Sequence, residues 1–215
     1  MKLLIISDVH YPVGSISEIK RIIAKERPDN LALLGDNIDG PNAVSLYKKF
    51  MSGIAASFPA GKTILMLGDG DYLLHDKKDQ ILRYANSLKT MNREHLTYRK
   101  GNMVFSHGNV ERSRRLEGIG KRIVLFSVSK RVHGYIPFLV GLLARISLRV
   151  RRGDYLFLGH LHLLGKSTIN RTTFCGTLNR RARFFADRSL GYVVVKHEGF
   201  IVQSMDDIKV VSIKN

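Results

Sequence analysis

The sequence has one cysteine, few acidic residues and no long apolar run. Because Cys175 has no second thiol to pair with, an internal disulfide is excluded, which fits a reducing compartment. No apolar run reaches the roughly 18 residues that span a bilayer, and Asp8 interrupts the first run too early for a secretory signal. These absences favour a cytoplasmic protein.

The shortage of acidic residues leaves the chain strongly basic. Against 18 Asp and Glu stand 35 Lys and Arg, which gives the 215 residues a net charge of +17. Such an excess favours an anionic partner, namely nucleic acid, an acidic membrane surface or a phosphorylated substrate. The alternative is that the charge serves solubility alone. The length is sufficient for one sizeable domain.

Short aliphatic runs alternate with amphipathic segments in the first half of the chain. The predicted strands are 3–6, 31–34 and 63–67, and the predicted helices are 15–27, with Ser17 as a candidate N-cap, 42–57 and 77–91. This alternation is typical of a parallel sheet in an α/β protein. Later and shorter runs predict strands at 97–98, 103–105, 155–158, 167–169, 172–174, 192–195 and 200–202.

Five of these predicted strands end in side chains that bind metal ions. In chain order the side chains are Asp8, His10, Asp36, Asp69, His107, His160 and His162. Asp8 and His10 lie two residues apart, so an extended chain places both on one side. Because ligands of open α/β sheets bind at the carboxyl ends of the strands, we expect these side chains to meet.

The motifs around these residues occur in a defined order. They read Asp-x-His, Gly-Asp-x-x-Asp, Gly-Asp-Gly-Asp, His-Gly and Gly-His-x-His, and together they resemble the calcineurin-like metallophosphoesterases over residues 2–195. The resemblance implies an α/β fold, a four-layer α/β/β/α sandwich with a helical insertion, in a single metallophosphoesterase domain over residues 1–215. It also implies two divalent metal ions. Manganese is the first expectation, with iron, zinc, cobalt or nickel as alternatives.

The resemblance assigns a role to each candidate residue. The ligands expected at one ion are Asp8, His10 and His162, those at the other are Asp69, His107 and His160, and the expected bridge is Asp36. The implied catalytic residues are Asp36, Asp69 and Asp71. Two such ions hold a phosphoryl group and lower the pKa of a shared water, which gives a bridging hydroxide as the nucleophile.

The third motif departs from the family's usual pattern, which has Asn and His at the positions of Asp69 and Gly70. Asp69 adds a negative charge, so we expect tighter metal binding and a less acidic bridging water. Gly70 removes a histidine that normally assists the leaving group, and losing a general acid typically costs about 10²–10⁴-fold in rate. The departure favours phosphodiesters or pyrophosphates, whose leaving groups need less assistance.

A long basic segment separates His107 from His160. Residues 112–152 contain eleven Lys and Arg but only one acidic residue, Glu117. Helical projection of the last part gives an apolar stripe, made of Leu139, Leu142, Leu143, Ile146 and Val150. A second face carries Arg145, Arg149 and Arg152. Since exposing the stripe would be costly, we expect it to pack on the domain, on a partner chain or on lipid.

We predict a basic helical insertion at about 110–153 that acts as a lid over the metal site. An ordinary helical hairpin packed on the domain is the alternative. In position and character the segment resembles the helical insertion of the UDP-diacylglucosamine pyrophosphohydrolases. The match to that family's motifs is only partial, so it implies a lid and not that family's specific substrate. The basic amphipathic character of the segment itself favours an amphiphilic phosphorylated substrate and peripheral contact with an acidic membrane.

The favoured function is a dinuclear metal-dependent phosphoesterase, a hydrolase that acts as a phosphodiesterase or pyrophosphohydrolase. One alternative is a metal-dependent nuclease, because the charge suits a polyanion. Nucleic acid is nevertheless the weaker partner, since the insertion offers only Phe126, Tyr135 and Phe138 for stacking on bases. A second alternative is a non-catalytic binding or scaffold protein with a degenerate metal site. A homodimer also stays open.

Overall fold

The computed structural model describes residues 1–39, 42–71, 87–89, 98–108, 136–181, 190–196, 199–204 and 211–212. Among these residues the α-helices are α1 (Ile16–Glu26), α2 (Ala43–Ala55) and α3 (Ile136–Ser147), and Ala60–Lys62 form a short 3₁₀ helix. The strands are β1 (Leu3–Ile6), β2 (Asn30–Leu34), β3 (Thr63–Met66), β4 (Ser87–Lys89), β5 (Tyr98–Lys100), β6 (Met103–Ser106), β7 (Tyr155–Leu158), β8 (Leu164–Ser167), β9 (Thr172–Cys175), β10 (Gly191–Lys196), β11 (Gly199–Ser204) and β12 (Val211–Ser212). The predicted α/β fold is confirmed.

The larger sheet is built around parallel strands. Its order is β12-β11-β10-β1-β2-β3-β4, in which β1 to β4 pair in parallel and β10 joins β1 antiparallel. Residues 3–6, 31–34 and 63–66 are buried throughout, which explains why these strands are continuous aliphatic runs. The carboxyl ends of β1, β2 and β3 consequently lie at one edge of the sheet.

The smaller sheet has the order β5-β6-β7-β9-β8. Its three inner strands, β6, β7 and β9, are parallel, and the outer strands β5 and β8 pair antiparallel with their neighbours. The carboxyl ends of β6 and β7 therefore share an edge, as those of β1 to β3 do in the larger sheet.

Three groups of buried side chains hold these elements together. The first packs α1 and α2 on the larger sheet and includes Ile19 and Phe50. The second contains residues of both sheets, with the rings of Phe105 and Phe157 stacked 5.3 Å apart between centroids. The third packs α3 on the smaller sheet through Val140. The two sheets thus pack on each other, and the three helices pack on the sheets.

Helix α1 shows why this part of the prediction is correct. Its isoleucines at 19, 22 and 23 are buried on one face, at the spacing of an amphipathic helix. The helix begins at Ile16, within the predicted range 15–27. The predicted cap is wrong, because the side chain of Ser15, and not that of Ser17, accepts a hydrogen bond from Glu18 N over 3.0 Å.

Two predicted elements are wrong in the described residues. Residues 87–89, placed at the end of a predicted helix, form β4 and pair in parallel with β3; residues 77–86 lie outside the described ranges. The strand predicted at 167–169 ends at Ser167, because residues 168–170 form the turn that reverses the chain between β8 and β9. Ile169 in that turn is 82% exposed.

Only part of the predicted apolar stripe packs on the domain, since Val150 contacts the third group of buried side chains. Val140 and Gly141 face the sheet, while Leu139, Leu142 and Ile146 are exposed. Small residues are needed on the inner face, since a Cβ at Gly141 would already lie 3.0 Å from the Cβ of Thr172. Three members of the predicted stripe, Leu139, Leu142 and Ile146, are therefore left on the outside of the helix.

Arg145, which was expected on the polar face of α3, is instead buried. Its guanidinium donates hydrogen bonds to the backbone oxygens of Asp154, over 2.8 Å, and of Arg151. These partners lie just before β7, so the inward arginine ties the helix to the start of that strand. Residues 109–135 of the predicted insertion lie outside the described ranges. No helix among the described residues is long and apolar enough to cross a membrane.

Candidate metal centre

The candidate ligands follow the strands of both sheets. Asp8, Asp36 and Asp69 follow the carboxyl ends of β1, β2 and β3, and His107 and His160 follow β6 and β7. The loops after β1 and β2 stay hydrogen-bonded to each other, because Asp8 N donates to Gly35 O over 3.0 Å and His10 N donates to Asp36 O over 2.9 Å. The predicted convergence at the strand ends is thus present in the structure.

The structure divides these residues into two groups. The first contains Asp8, His10 and His162, with one possible ligand atom from each residue within 4.8 Å of the others. The Nε2 atom of His162 lies 3.2 Å from Nε2 of His10 and 3.3 Å from Oδ1 of Asp8. Two imidazole nitrogens and a carboxylate oxygen therefore face one small volume.

The second group contains Asp36, Asp69, His107 and His160. The Oδ1 atom of Asp69 lies 3.0 Å from His107 Nε2 and 3.2 Å from His160 Nδ1. The Asp69 side chain is 46% exposed, whereas that of His107 is fully buried. This group is open on the side of Asp69, where a molecule in solution can reach it.

Asp36 belongs to the second group and also faces the first. Its Oδ1 atom is 3.3 Å from His107 Nε2 in the second group, and its Oδ2 atom is 3.9 Å from His10 Nε2 in the first. The carboxylate is held in place by the Gly70 N–H, which donates to Oδ1 over 2.7 Å. Each oxygen thus faces a different group.

Hydrogen bonds outside the cluster fix two of its histidine rings. The Nδ1 atom of His107 donates to the carbonyl oxygen of Leu34 over 2.8 Å, which leaves Nε2 facing Asp36 and Asp69. The Nδ1 atom of His10 lies 3.0 Å from Oδ2 of Asp39. Ring nitrogens of metal-binding histidines commonly have such partners, which set the tautomer and the ring orientation.

The charges of the cluster reinforce one another. Burial alone would raise the pKa values of Asp8 and Asp69, but hydrogen bonds from His162 to Asp8 and from His107 and His160 to Asp69 outweigh it and lower both. Burial would likewise lower the pKa of His107, but the charge of Asp36 and hydrogen bonds to Asp36 and Asp69 raise it well above its usual value. The carboxylates are therefore ionised and attract positive charge.

This donor set fits a divalent metal ion. Since the Nδ1–H of His107 is used by Leu34, its Nε2 faces two carboxylate oxygens and needs either a proton or a cation between them. Mixed carboxylate and imidazole donors suit manganese, iron, zinc and cobalt better than calcium. The cluster could hold such ions at either group.

Most of the candidate ligands have a strained backbone. A positive φ is found at Asp8 (52°), His10 (50°), Asp36 (48°), His160 (65°) and His162 (50°). For residues other than glycine this conformation costs about 1–3 kcal/mol each and is concentrated at functional sites. The strain that directs these side chains into the cluster therefore lowers the stability of the folded protein.

Two glycines permit the close approach of the loops. A Cβ at Gly68 would lie 2.2 Å from Oδ1 of Asp36, and a Cβ at Gly159 would lie 2.1 Å from Oγ of Ser7. Neither position can accept a side chain without displacing a loop that carries a candidate ligand. At Gly70 the contact is milder, with a Cβ 3.0 Å from Asp36 Oδ1.

Asp71 does not join either group, and its predicted catalytic role does not fit its geometry. It is completely buried and accepts hydrogen bonds from the backbone N–H groups of Asn37, Ile38 and Gly68 over 3.0–3.2 Å. Burial, together with the charge of Asp36, raises its pKa to about 6. The side chain ties the loop after β3 to the loop after β2, and thereby positions Asp36 and Asp69.

Sequence reasoning missed several residues that support the cluster. Thr177 Oγ1 donates to Asp8 O over 2.6 Å, the Ser7 hydroxyl donates to the Asp8 carboxylate, and Asn37 Nδ2 donates to Met66 O over 3.0 Å. Ser7 and Asn37 are adjacent in the sequence to the motif residues Asp8 and Asp36, and this adjacency could have identified them. Thr177 is 169 residues from Asp8, and no local pattern identifies it.

Comparisons with known proteins agree with this geometry. The family model described as calcineurin-like phosphoesterase matches residues 1–164. No curated protein matches. The solved structure of Yfce, a phosphoesterase from E. coli, is similar with a TM-score of 0.57 at 14% identity, covering 99% of this chain and 97% of that one. A novel archaeal phosphodiesterase is similar with a TM-score of 0.52 at 13% identity, covering 94% and 100%.

The two structural likenesses agree in fold with the family match, which covers three quarters of the chain. Family members hydrolyse phosphate esters with the help of divalent metal ions, and both groups of candidate ligands have the composition to bind them. The resemblance found in the motifs is confirmed. This chain belongs to the calcineurin-like phosphoesterase family and is a metal-dependent hydrolase.

Proposed function

We propose that the protein is a dinuclear phosphodiesterase or pyrophosphohydrolase. The observation that carries the proposal is the position of Asp36, whose two carboxylate oxygens face two separate groups of donors. Asp8, His10 and His162 would hold one ion. Asp69, His107 and His160 would hold the other, and Asp36 would bridge them. Two bound ions supply Lewis acidity and an acidified water for attack on phosphorus.

The residues of this chain would orient the substrate around those ions. The Asp69 carboxylate is half exposed at the opening of the second group, where a substrate would enter. Asp36, held by the Gly70 N–H, would keep the spacing between the two ions constant. The positioning residues Asp39 and Asp71 would hold His10 and the loop after β3.

The third motif supports the choice of substrate class. Gly70 has no side chain that could donate a proton, and a Cβ there would already contact Asp36. Without a general acid at this position, substrates with weakly basic leaving oxygens are favoured. The phosphodiesterase among the two structural neighbours is in keeping with this choice. An amphiphilic substrate and a lid stay predictions, because residues 109–135 lie outside the described ranges.

Turnover of bis-p-nitrophenyl phosphate in the presence of manganese tests the proposal. We expect kcat/KM of Asp36→Asn to fall by at least about 10²-fold, the lower end for loss of a group that acts in the transition state. Asp29→Asn is the matched control, because it makes the same substitution at an exposed carboxylate outside both groups. Asp29 accepts a hydrogen bond from Lys2 N near the amino terminus. It should retain activity. A native protein without turnover on diesters or pyrophosphates, yet loaded with metal, would favour the scaffold alternative.

A further inference from the structure

Helix α3 exposes a row of large apolar side chains. Leu139 is 39% exposed, Leu142 is 41% exposed and Ile146 is 61% exposed. The spacing of three and four residues places all of them on one face. The opposite face already packs on the smaller sheet through Val140 and Ala144. The exposed row, which we name the outer stripe, is therefore additional to the face that holds the helix on the domain.

A fourth apolar side chain lies beside this helix. Ile169, in the turn between β8 and β9, is 82% exposed. The turn is fixed against α3 because Asn170 Nδ2 donates to Phe138 O over 2.7 Å. Asn170 Nδ2 also lies 3.0 Å from the position that a Cβ of Gly141 would take. Ile169 is thus held next to the amino-terminal half of α3.

The segment of the sequence that carries the outer stripe is basic. Residues 136–153 include four arginines and neither Asp nor Glu. One of them, Arg145, is buried, but Arg149, Arg151 and Arg152 are exposed just after the helix. Within the described ranges none of these three side chains forms an ion pair. Their charges are consequently available to an anionic partner.

We infer that the outer stripe of α3 and the three exposed arginines dock the protein on an acidic membrane surface. A helix that presents aliphatic side chains next to arginines lies in the plane of the interface, with the apolar groups among the acyl chains and the charges at the headgroups. A 12-residue helix is too short to span the bilayer. Negatively charged headgroups complement the arginines, and the acyl chains beneath them complement the aliphatic side chains.

Other occupants fit less well. Two copies meeting at the stripe would bring their arginines together, in a protein whose net charge is already +17. Single-stranded nucleic acid binds to aromatic rings next to basic groups, whereas the stripe is made of Leu139, Leu142 and Ile146. An acidic bilayer satisfies the aliphatic and the basic part together.

This surface is separate from the candidate metal centre. The anchors of α3 are Asp154, just before β7, and Asn170, just before β9. The candidate ligand His160 follows the other end of β7. Docking would therefore leave the strand ends free, and the inference does not depend on the proposed reaction.

Co-sedimentation with vesicles tests this inference on the full chain. The probes are phosphatidylcholine vesicles with and without an equal part of phosphatidylglycerol, at low and high salt. We expect binding only to the acidic vesicles and weaker binding at high salt, since salt screens exposed charges. Changing Arg149, Arg151 and Arg152 together to Glu should weaken the partition by at least about tenfold, and so should Leu142→Ser combined with Ile146→Ser.

The matched control reverses three exposed lysines elsewhere, Lys25, Lys49 and Lys62, with the same change in net charge. It should bind acidic vesicles nearly as well as the native protein. Turnover of bis-p-nitrophenyl phosphate should be unchanged in all variants, because the altered side chains are distant from the strand ends, and thermal unfolding checks that each variant is folded at the assay temperature. Three results would overturn the inference: no retention of the native protein at low salt, an equal loss in the lysine control, or a dimer that dissociates in the Leu142 and Ile146 variant.

Discussion

The Nδ1–H of His107 donates to the carbonyl oxygen of Leu34 over 2.8 Å, and this contact determines what the other side of the ring does. The carbonyl belongs to the last residue of β2, two positions before Asp36. The Leu34 oxygen thus orients the His107 ring, which follows a strand of the smaller sheet, toward the Asp36 carboxylate, which follows a strand of the larger sheet. The two sheets are joined at the candidate metal centre by this contact as well as by apolar packing.

Gly35→Ala should disrupt this contact. Gly35 has a φ of 89°, and a Cβ would lie 2.4 Å from His107 Nδ1. The matched control is Gly101→Ala, because Gly101 also has a positive φ, 61°, but has no atom within 4 Å of its Cβ position. Backbone strain alone should cost about 1–2 kcal/mol in the control.

We expect Gly35→Ala to lose clearly more stability than the control and also to bind metal more weakly. Urea unfolding and titration with manganese measure the two effects. Equal loss of stability in both variants, with metal binding intact, would show that the ring of His107 is not held tightly at Gly35.

Glu26 should make the stability depend on pH. Burial opposes its ionised form, but the hydrogen bonds from Lys2 and Tyr192 outweigh burial and hold the pKa of Glu26 below its ordinary value of 4.5. The Lys2 ammonium lies 2.9 Å from Oε2, and Tyr192 OH donates to Oε1 over 2.9 Å. Because the folded pKa is the lower one, the stabilisation is complete above the unfolded pKa and is lost as the pH falls through the folded value.

Urea midpoints measured from neutral to acidic pH check this expectation. Glu26→Gln should be less stable than the native protein at neutral pH and should approach it in acid. Tyr192→Phe removes one of the two donors and should give an intermediate slope. Parallel pH profiles of the native protein and Glu26→Gln would contradict the role of Glu26.

Arg145 and Arg149 should respond differently to the same substitution. Arg145 is buried and donates to the backbone oxygens of Asp154 and Arg151, whereas Arg149 is exposed. Arg145→Met leaves these oxygens without their donor, which should cost about 1–3 kcal/mol. Arg149→Met should change the free energy of unfolding by less than about 0.5 kcal/mol. Similar losses in both variants would show that Arg145 does not anchor α3.

The substitution Gly70→His should favour monoesters over diesters. A histidine there could protonate the leaving oxygen, and this matters most where that oxygen is most basic. Gly70→Ala is the necessary control, because any Cβ at this position meets Asp36 Oδ1 at 3.0 Å and disturbs the proposed bridge. Relative to Gly70→Ala, we expect turnover of a poorly activated monoester to rise more than that of bis-p-nitrophenyl phosphate. An equal change for both substrates would place Gly70 away from the leaving group.

Most of the candidate ligands could be predicted from the sequence, because each lies directly after a strand that the sequence itself identifies. Asp8, Asp36 and His107 each follow a short apolar run, and such runs identify buried strands without any alignment. The orientation of α3 was not predictable, because the partners of Arg145 are backbone oxygens that only the folded chain brings near it. The role of Asp71 was missed for the same reason, since its donors belong to residues up to 34 positions away.

Metal stoichiometry tests the central proposal most directly. Protein purified without chelator, reloaded with manganese and freed of unbound ion should contain close to two ions per chain by elemental analysis, one for each group of candidate ligands. His10→Ala and His160→Ala remove one donor from each group, and each should lower the content toward one ion. A native stoichiometry of zero, or of one ion lost equally in both variants, would contradict a dinuclear centre bridged by Asp36.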